Sequence, residues 1–305
     1  MPNYTRDFLT ERHSDYESKF QDWNFHLLSY LGGQDYQNGY LLNRYVLESD
    51  EEYIKRMNNT AIDNHCKNVV QIYSSFLFRV PPTRNYGSLS GDEQLENFIK
   101  DADLDGRSFD NIIREMQINA SIYGTCWAIM DKPAVQTETR AEEIQLDIRP
   151  YLSVYTPENV LNWTFQRMIN GRYELTSLTL LENLQNDVAT LRVWTKEDIT
   201  TLMVKEFNKG YSTSQPILID EMPNMINEIP AVILYNQKSQ KRGIGISDLQ
   251  DVAELQKAIY NDYSEIEQLI RLSNHPSLVK TPNVEASAGA GSIIEMPEDL
   301  DSNLK

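Results

Sequence analysis

The chain is short of the residues on which most catalytic and metal chemistry depends. Its 305 residues include two cysteines and four histidines. Cys66 and Cys126 form neither a disulfide framework nor a CxxC metal knuckle. They suit a reducing compartment and read as small buried apolar side chains. His65 and Cys66 are adjacent, so on a helix they point apart, and no third ligand stands near them. The phosphate loop GxxxxGK[ST], the HExxH zinc motif and the GxSxG elbow are all missing. Gly243-Ile244-Gly245 lacks the third glycine of a dinucleotide fingerprint and reads as a flexible lead into a helix. The AGAGS run at 288–292 has no helix behind it to hold a phosphate. No apolar run nears the ~18 residues of a membrane span, and the Met1-Pro2-Asn3-Tyr4 start is no secretory signal. The expectation is a soluble protein made in the cytoplasm, without catalytic residues, metal, cofactor or membrane contact.

Positive charge is scarce as well. Lys and Arg number 28 against 45 Asp and Glu, a formal net charge of −17. Such a surface repels nucleic-acid phosphates. That leaves two meanings open: ordinary solvation, or a wall that nucleic acid passes without sticking.

What the chain does have is one long marked helix within Gly243 to Lys280. Ser247 and Gln250 stand in capping-box spacing at its start, and Pro276, with His275 biased towards an extended backbone, closes it. Leu249, Val252, Leu255, Ile259, Tyr263, Ile266 and Ile270 recur at three- and four-residue steps and are expected to share one face. Asp248, Asp251, Glu254, Asp262 and Glu265 fall on the other side. From Ser247 to Asn274 the helix would run roughly 42 Å. Its apolar face needs neighbours.

The rest of the pattern is helical first and β-rich afterwards. Tyr16, Phe20, Trp23, Leu27 and Leu31 predict a helix over 14–31, stopped by Gly32-Gly33 and followed by a turn-rich connection to Arg44. A Ser49/Glu52 capping box predicts one helix from there through Tyr53, Met57, Ala61, Val69 and Phe76 to Pro81-Pro82, with a buried apolar end. Helices over 92–102 and 108–123 come next. Strands are predicted at 125–131, 144–149, 151–155, 173–181, 188–195, 200–207, 217–219 and 231–235. A basic island, Gln237 to Arg242, precedes the long helix, and short strands are expected at 278–280 and 292–295. The fold class is α+β: a helical amino-terminal region, an antiparallel β-rich middle, and one long helix near 247–274.

Several stretches carry a family resemblance. Tyr40 to Pro82, with YLLNRY, an acidic ES helix start and the ending FLFRVPP, resembles the amino-terminal part of portal proteins of tailed bacteriophages. The resemblance returns at Tyr123 to Asp131 (YGTCWAIMD) and Tyr155 to Trp163 (YTPENVLNW). It is strongest from Gly243 to Lys280, where GISDL matches the G-x-S-D-L opening of the portal helix that lines the DNA tunnel.

That resemblance implies a wedge-shaped subunit of a ring, usually of about twelve copies, at one capsid vertex. Residues 1–235 would be a wing, 236–276 a stem helix and 277–305 the start of the clip. Portal chains of this kind continue into a second stem helix, tunnel loop and crown, so this chain is expected to continue in nature. Asp251, Glu254, Asp262 and Glu265 become candidates for the channel lining. Leu255, Ile259, Tyr263, Ile266, Ile270, Lys257 and Arg271 become candidates for the subunit interface. Leu278, Lys280, Ile293 and Glu295 become candidates for motor or neck contacts. The implied partners are further copies of the chain, the major capsid protein and scaffold, the terminase large subunit, head–tail adaptor or neck proteins, and duplex DNA in transit. The implied location is the virion, assembled in the bacterial cytoplasm. Two other readings stay open. A metal-dependent DNA-processing enzyme would need a basic cleft beside its acids, and a head–tail adaptor would normally be shorter.

Overall fold

The computed structural model describes residues 12–133, 139–205, 215–274, 278–280 and 293–295. They form an α+β fold with antiparallel sheets, divided into two compact units. The first comprises the chain to Leu31 together with Asn64–Ala253; the second comprises Gly32–Asp63 and the chain from Glu254.

The first unit is built on α1 (Ser14–Leu31), α4 (His65–Leu77), α5 (Glu93–Lys100), α6 (Phe109–Tyr123), the short α7 (Arg140–Gln145) and ten strands. Local caps set its helices. Asn64, Asp92 and Ser108 each accept a backbone N–H of the following first turn. Gly124, at φ 87°, closes α6 in the left-handed region. Strand β1 (Thr125–Asp131) is central in a three-stranded antiparallel sheet between β2 (Tyr151–Tyr155) and β8 (Ala231–Tyr235). Its two faces meet two cores. Trp127 and Ile129 join the larger one, while Cys126 and Ala128 join Ile112 and Met116 of α6. Burial on both faces explains why TCWAI reads as a continuous apolar run rather than an alternation. Strands β3 (Val160–Arg167), β4 (Tyr173–Gln185), β5 (Val188–Thr195), β6 (Asp198–Val204) and β7 (Ile217–Pro223) form an antiparallel meander in chain order. Leu191 and Val193 of β5 alternate inward beside Leu178, Leu180 and Leu202. A small hairpin, β9 (Gln237–Lys238) with β10 (Gly245–Ile246), completes the unit.

The second unit holds α2 (Gly33–Asn38), α3 (Asp50–Asn59), most of α8 (Gln250–Asn274) and a short parallel pair, β11 (Leu278–Lys280) with β12 (Ile293–Glu295). The Ser49/Glu52 capping box forms in full at the start of α3.

Several expectations are corrected. The connection after Gly33 begins with α2, a short helix, rather than a turn. The single helix expected from Ser49 to Pro81 is two. The Thr60 hydroxyl folds back to the Arg56 carbonyl at 2.8 Å, and Asn64 starts α4 as a new cap. The end of α4 is not buried within the chain: Ile72, Tyr73, Phe76 and Leu77 are 55–71 % exposed. The alternation at 144–149 is no strand. Thr139 caps α7, and Asp147 at φ 51° turns the chain while the Ile148 amide bonds back to the Glu143 carbonyl. Strand β3 adds to the expected set: Leu161, Trp163 and Phe165 alternate with Asn162, Thr164 and Gln166, the period of two that marks a strand.

Candidate functional site

The start of α8 explains, residue by residue, the GISDL opening. Gly245 lies backbone to backbone against Gly124, where a Cβ would come within 2.1 Å of the Gly124 carbonyl oxygen. The Ser247 hydroxyl donates to the carbonyls of Ser121 and Ile122 at 2.9 and 2.6 Å. Asp248 accepts from the Ser121 hydroxyl at 2.5 Å and from the Asn236 amide at 2.8 Å. Leu249 is fully buried. Together these groups fix the first turn of α8 to the carboxy-terminal turn of α6. Two expectations change as a result. Ser247 takes the Leu249 amide at 2.9 Å instead of closing a capping box with Gln250, and the helix begins at Gln250. Gly243 and Gly245 serve close packing rather than flexibility: Gly243, at φ 83°, abuts the indole of Trp163.

Along its length α8 presents three faces. Leu249, Ala253, Gln256, Tyr260 and Ser264 are all at most 2 % exposed and form the row packed within the chain. Leu255, Tyr263, Ile266, Leu269 and Ile270 are 40–65 % exposed and form an apolar stripe, with Ile259 half-buried along it. Asp251, Glu254, Asp262 and Glu265 are all exposed. At roughly 100° per residue the stripe lies about 100° round from the buried row, and the acids are centred about 160° from it. The expected single apolar face is therefore two. Each three-residue step slips back by about 60°, so Leu249, Val252 and Leu255 walk off the buried row. Lys257 and Arg271 lie on the flank away from the stripe. For Leu278, Lys280, Ile293 and Glu295 the backbone pairing alone is described. Pro276 and His275 lie outside the described residues, as does the AGAGS run.

In the second unit, Arg56 of α3 is the organising group. Its guanidinium donates to both carboxylate oxygens of Glu48 at 2.7 Å, to the Asn43 carbonyl at 2.7 Å and to the Ser264 hydroxyl of α8 at 2.9 Å. The Tyr45 ring lies 4.2 Å from it. Tyr260 meets Tyr36 edge-on at 5.3 Å, and the Asn261 side chain accepts the Asn43 amide at 2.7 Å. Hydrogen bonding from Arg56 holds the Glu48 carboxyl below its usual range, against the opposing effect of burial.

Several titratable groups elsewhere are engaged in pairing within the chain. Burial raises Glu158, which accepts the Tyr123 hydroxyl at 3.1 Å, and raises Glu182, which faces Arg192 at 2.8 Å. An acidic loop that sequence reasoning passed over, Asp101 to Arg107, carries three aspartates at alternate positions before Gly106. Asp103 is held down at about 2: burial opposes this, and Arg107 with two backbone amides outweighs burial. Asp101 pairs with Arg149 at 2.6 Å. Both cysteine thiols are pushed up to about 12 by burial, far from thiolate reactivity. Among the described residues no group of His, Cys, Asp and Glu is placed to hold a metal ion, and no helix is long and apolar enough to cross a membrane.

Compared with known families, residues 24–301 match the family described as "Phage portal protein, SPP1 Gp6-like". No curated protein matches the chain.

Proposed function

The chain belongs to the phage portal protein family, whose members are structural, non-enzymatic components of the virion, and on that premise we propose that it is one wedge of a ring that conducts DNA through a capsid vertex. The observation that supports this reading is the three-faced helix α8. A helix packed within its own chain on one side, apolar on an adjacent flank and acidic on the side opposite has the surfaces a ring-lining element needs. The exposed stripe of Leu255, Tyr263, Ile266 and Ile270, with Ile259, would meet a neighbouring copy, and Lys257 and Arg271 would lie in the opposite contact. Asp251, Glu254 and Glu265 would face the channel, with Asp262 at the edge between that lining and the stripe.

Acids there suit the task. Duplex DNA carries about one negative charge per 1.7 Å, and each Lys–phosphate pair along the channel would act as a brake on sliding. In this reading 1–235 serves as wing, 236–276 as stem and 277–305 as the opening of the clip. Leu278, Lys280, Ile293 and Glu295 would there meet the terminase large subunit and later the neck proteins. The capsid protein and scaffold would contact the ring from outside, and assembly would take place in the host cytoplasm. Mass photometry with negative-stain imaging of the purified chain tests the proposal. A closed ring of about a dozen copies with a central channel is the expected result; a monomer at all salt and pH values would remove it.

A further inference from the structure

The second compact unit carries a cleft of 440 Å³ lined by the loop before α3, α3 itself and the last turns of α8. Its charges are unequally engaged. Arg56 is held by Glu48, and Glu52 closes the cap of Ser49. Lys55 and Arg271 also line the cleft. Both are exposed, and neither makes an ion pair with a described residue. Glu267 is the remaining acid in the wall. Leu47, which lines the cleft, and Val46 before it are 97 % and 100 % exposed, so an apolar pair stands bare at this rim.

A different side of the same unit carries the apolar stripe of α8. Asp262 lies on its border, exposed and without an ion-pair partner among the described residues. Ser264, Glu267, Gln268 and Arg271, which face the cleft, are turned about 130° from the stripe. Cyclic rings are built from heterologous contacts, in which two different patches of one chain meet. These two patches match in kind: a bare apolar tip beside two unengaged cations, and a bare apolar stripe beside an unengaged acid.

We propose that the Lys55–Arg271 cleft with its Val46-Leu47 rim is the receiving half of the subunit contact, and that a second copy's α8 edge, Leu255, Ile266 and Asp262, occupies it. The inference rests on the ring reading and deepens it by naming the surface that faces the stripe. Electrostatic complementarity of this sort fixes register between like subunits.

The test is charge reversal and restoration in the full chain, read by mass photometry of the assembled ring. Lys55→Glu with Arg271→Glu is expected to raise the concentration needed for assembly at least about tenfold, and Asp262→Arg alone to weaken assembly similarly. Combining all three should restore rings. If the unaltered chain forms no ring, the ring reading itself falls, and this inference with it. If rings form and the double reversal leaves them unchanged, or if Asp262→Arg fails to restore them, the ring reading stands and the cleft has another occupant. A second measurement guards against misfolding. Leu47→Cys with Ile266→Cys should yield a ladder of disulfide-linked subunits on a denaturing gel, because Cys66 and Cys126 are buried and do not compete. Rings without a ladder would overturn the proposal.

Discussion

Removing the guanidinium at Arg56 should destabilise the second unit and blunt its response to acid. The side chains of Arg56 and Glu48 are only 9 % and 5 % exposed, and the pair is bidentate. Arg56→Met would leave the Glu48 carboxylate shielded and without its main partner, the Tyr45 amide and Arg44 alone remaining, a loss of about 3–5 kcal/mol for a buried pair. The pair borders the 440 Å³ cleft, from which water screens it, so a value near the lower end, about 3 kcal/mol, is expected. Replacing both partners, Arg56→Met with Glu48→Leu, should cost much less than the sum of the single changes, because no orphaned charge remains. The pH dependence separates this account from lost packing. With Arg56 present, the Glu48 carboxyl in the folded chain lies below its unfolded value of about 4.3. Its contribution is therefore complete above that pH and is lost as pH falls through the depressed folded value. Without Arg56 the largest lowering influence is gone and only the Tyr45 amide and Arg44 still oppose burial, so the variant should lose less stability than the parent as pH falls from 7 towards 3. Urea unfolding at a series of pH values, followed by circular dichroism, measures both effects. A single-variant loss under about 1 kcal/mol, or strictly additive double-variant losses, would refute the reasoning.

Three further outcomes are expected. Gly124→Ala must accommodate φ 87° and a Cβ 2.6 Å from the Gly245 carbonyl, so it should cost about 3 kcal/mol or more in thermal melting. Gly91→Ala, with φ 86° but open space, should cost only about 1 kcal/mol. Glu254→Lys and Glu265→Lys, both exposed, should leave ring assembly intact and slow DNA packaging, measured as packaged length against time; unchanged rates would argue against a channel role. The two thiols should resist a chromogenic disulfide reagent at pH 8 in the folded chain and react fully in urea, because burial holds both near 12.

The GISDL opening shows where recognition outran physical understanding. The resemblance found the motif, but the reasons for its residues lie in groups far off in sequence. Gly245 needs Gly124, and Ser247 needs the carbonyls of Ser121 and Ile122. The helix break at Thr60 was written in a hydroxyl that bonds its own helix and an asparagine that caps the next, signals weaker than the apolar spacing running across them. The 144–149 alternation misled because only one of its three apolar residues finds a partner surface: α7 ends at Gln145, Ile148 is buried, and Ile144 and Leu146 stay exposed.

Features encoded within a few residues could be read from the amino-acid order alone. The capping box at Ser49 and Glu52, the left-handed Gly124, the meander strand 188–195 and the extent of α1 all depend on neighbours in the chain. Spacing also established that α8 would be long and rich in both apolar and acidic positions. Which of those apolar positions pack inside was decided by tertiary contacts. Tyr260 is buried where Tyr36 and the Met57 carbonyl meet it, and Ser264 where Arg56 arrives, while Ile266 and Leu255 stay bare. Periodicity says that side chains share a side of a helix. It carries no information about what stands opposite, because burial is a property of two surfaces and the second one comes from elsewhere in the chain.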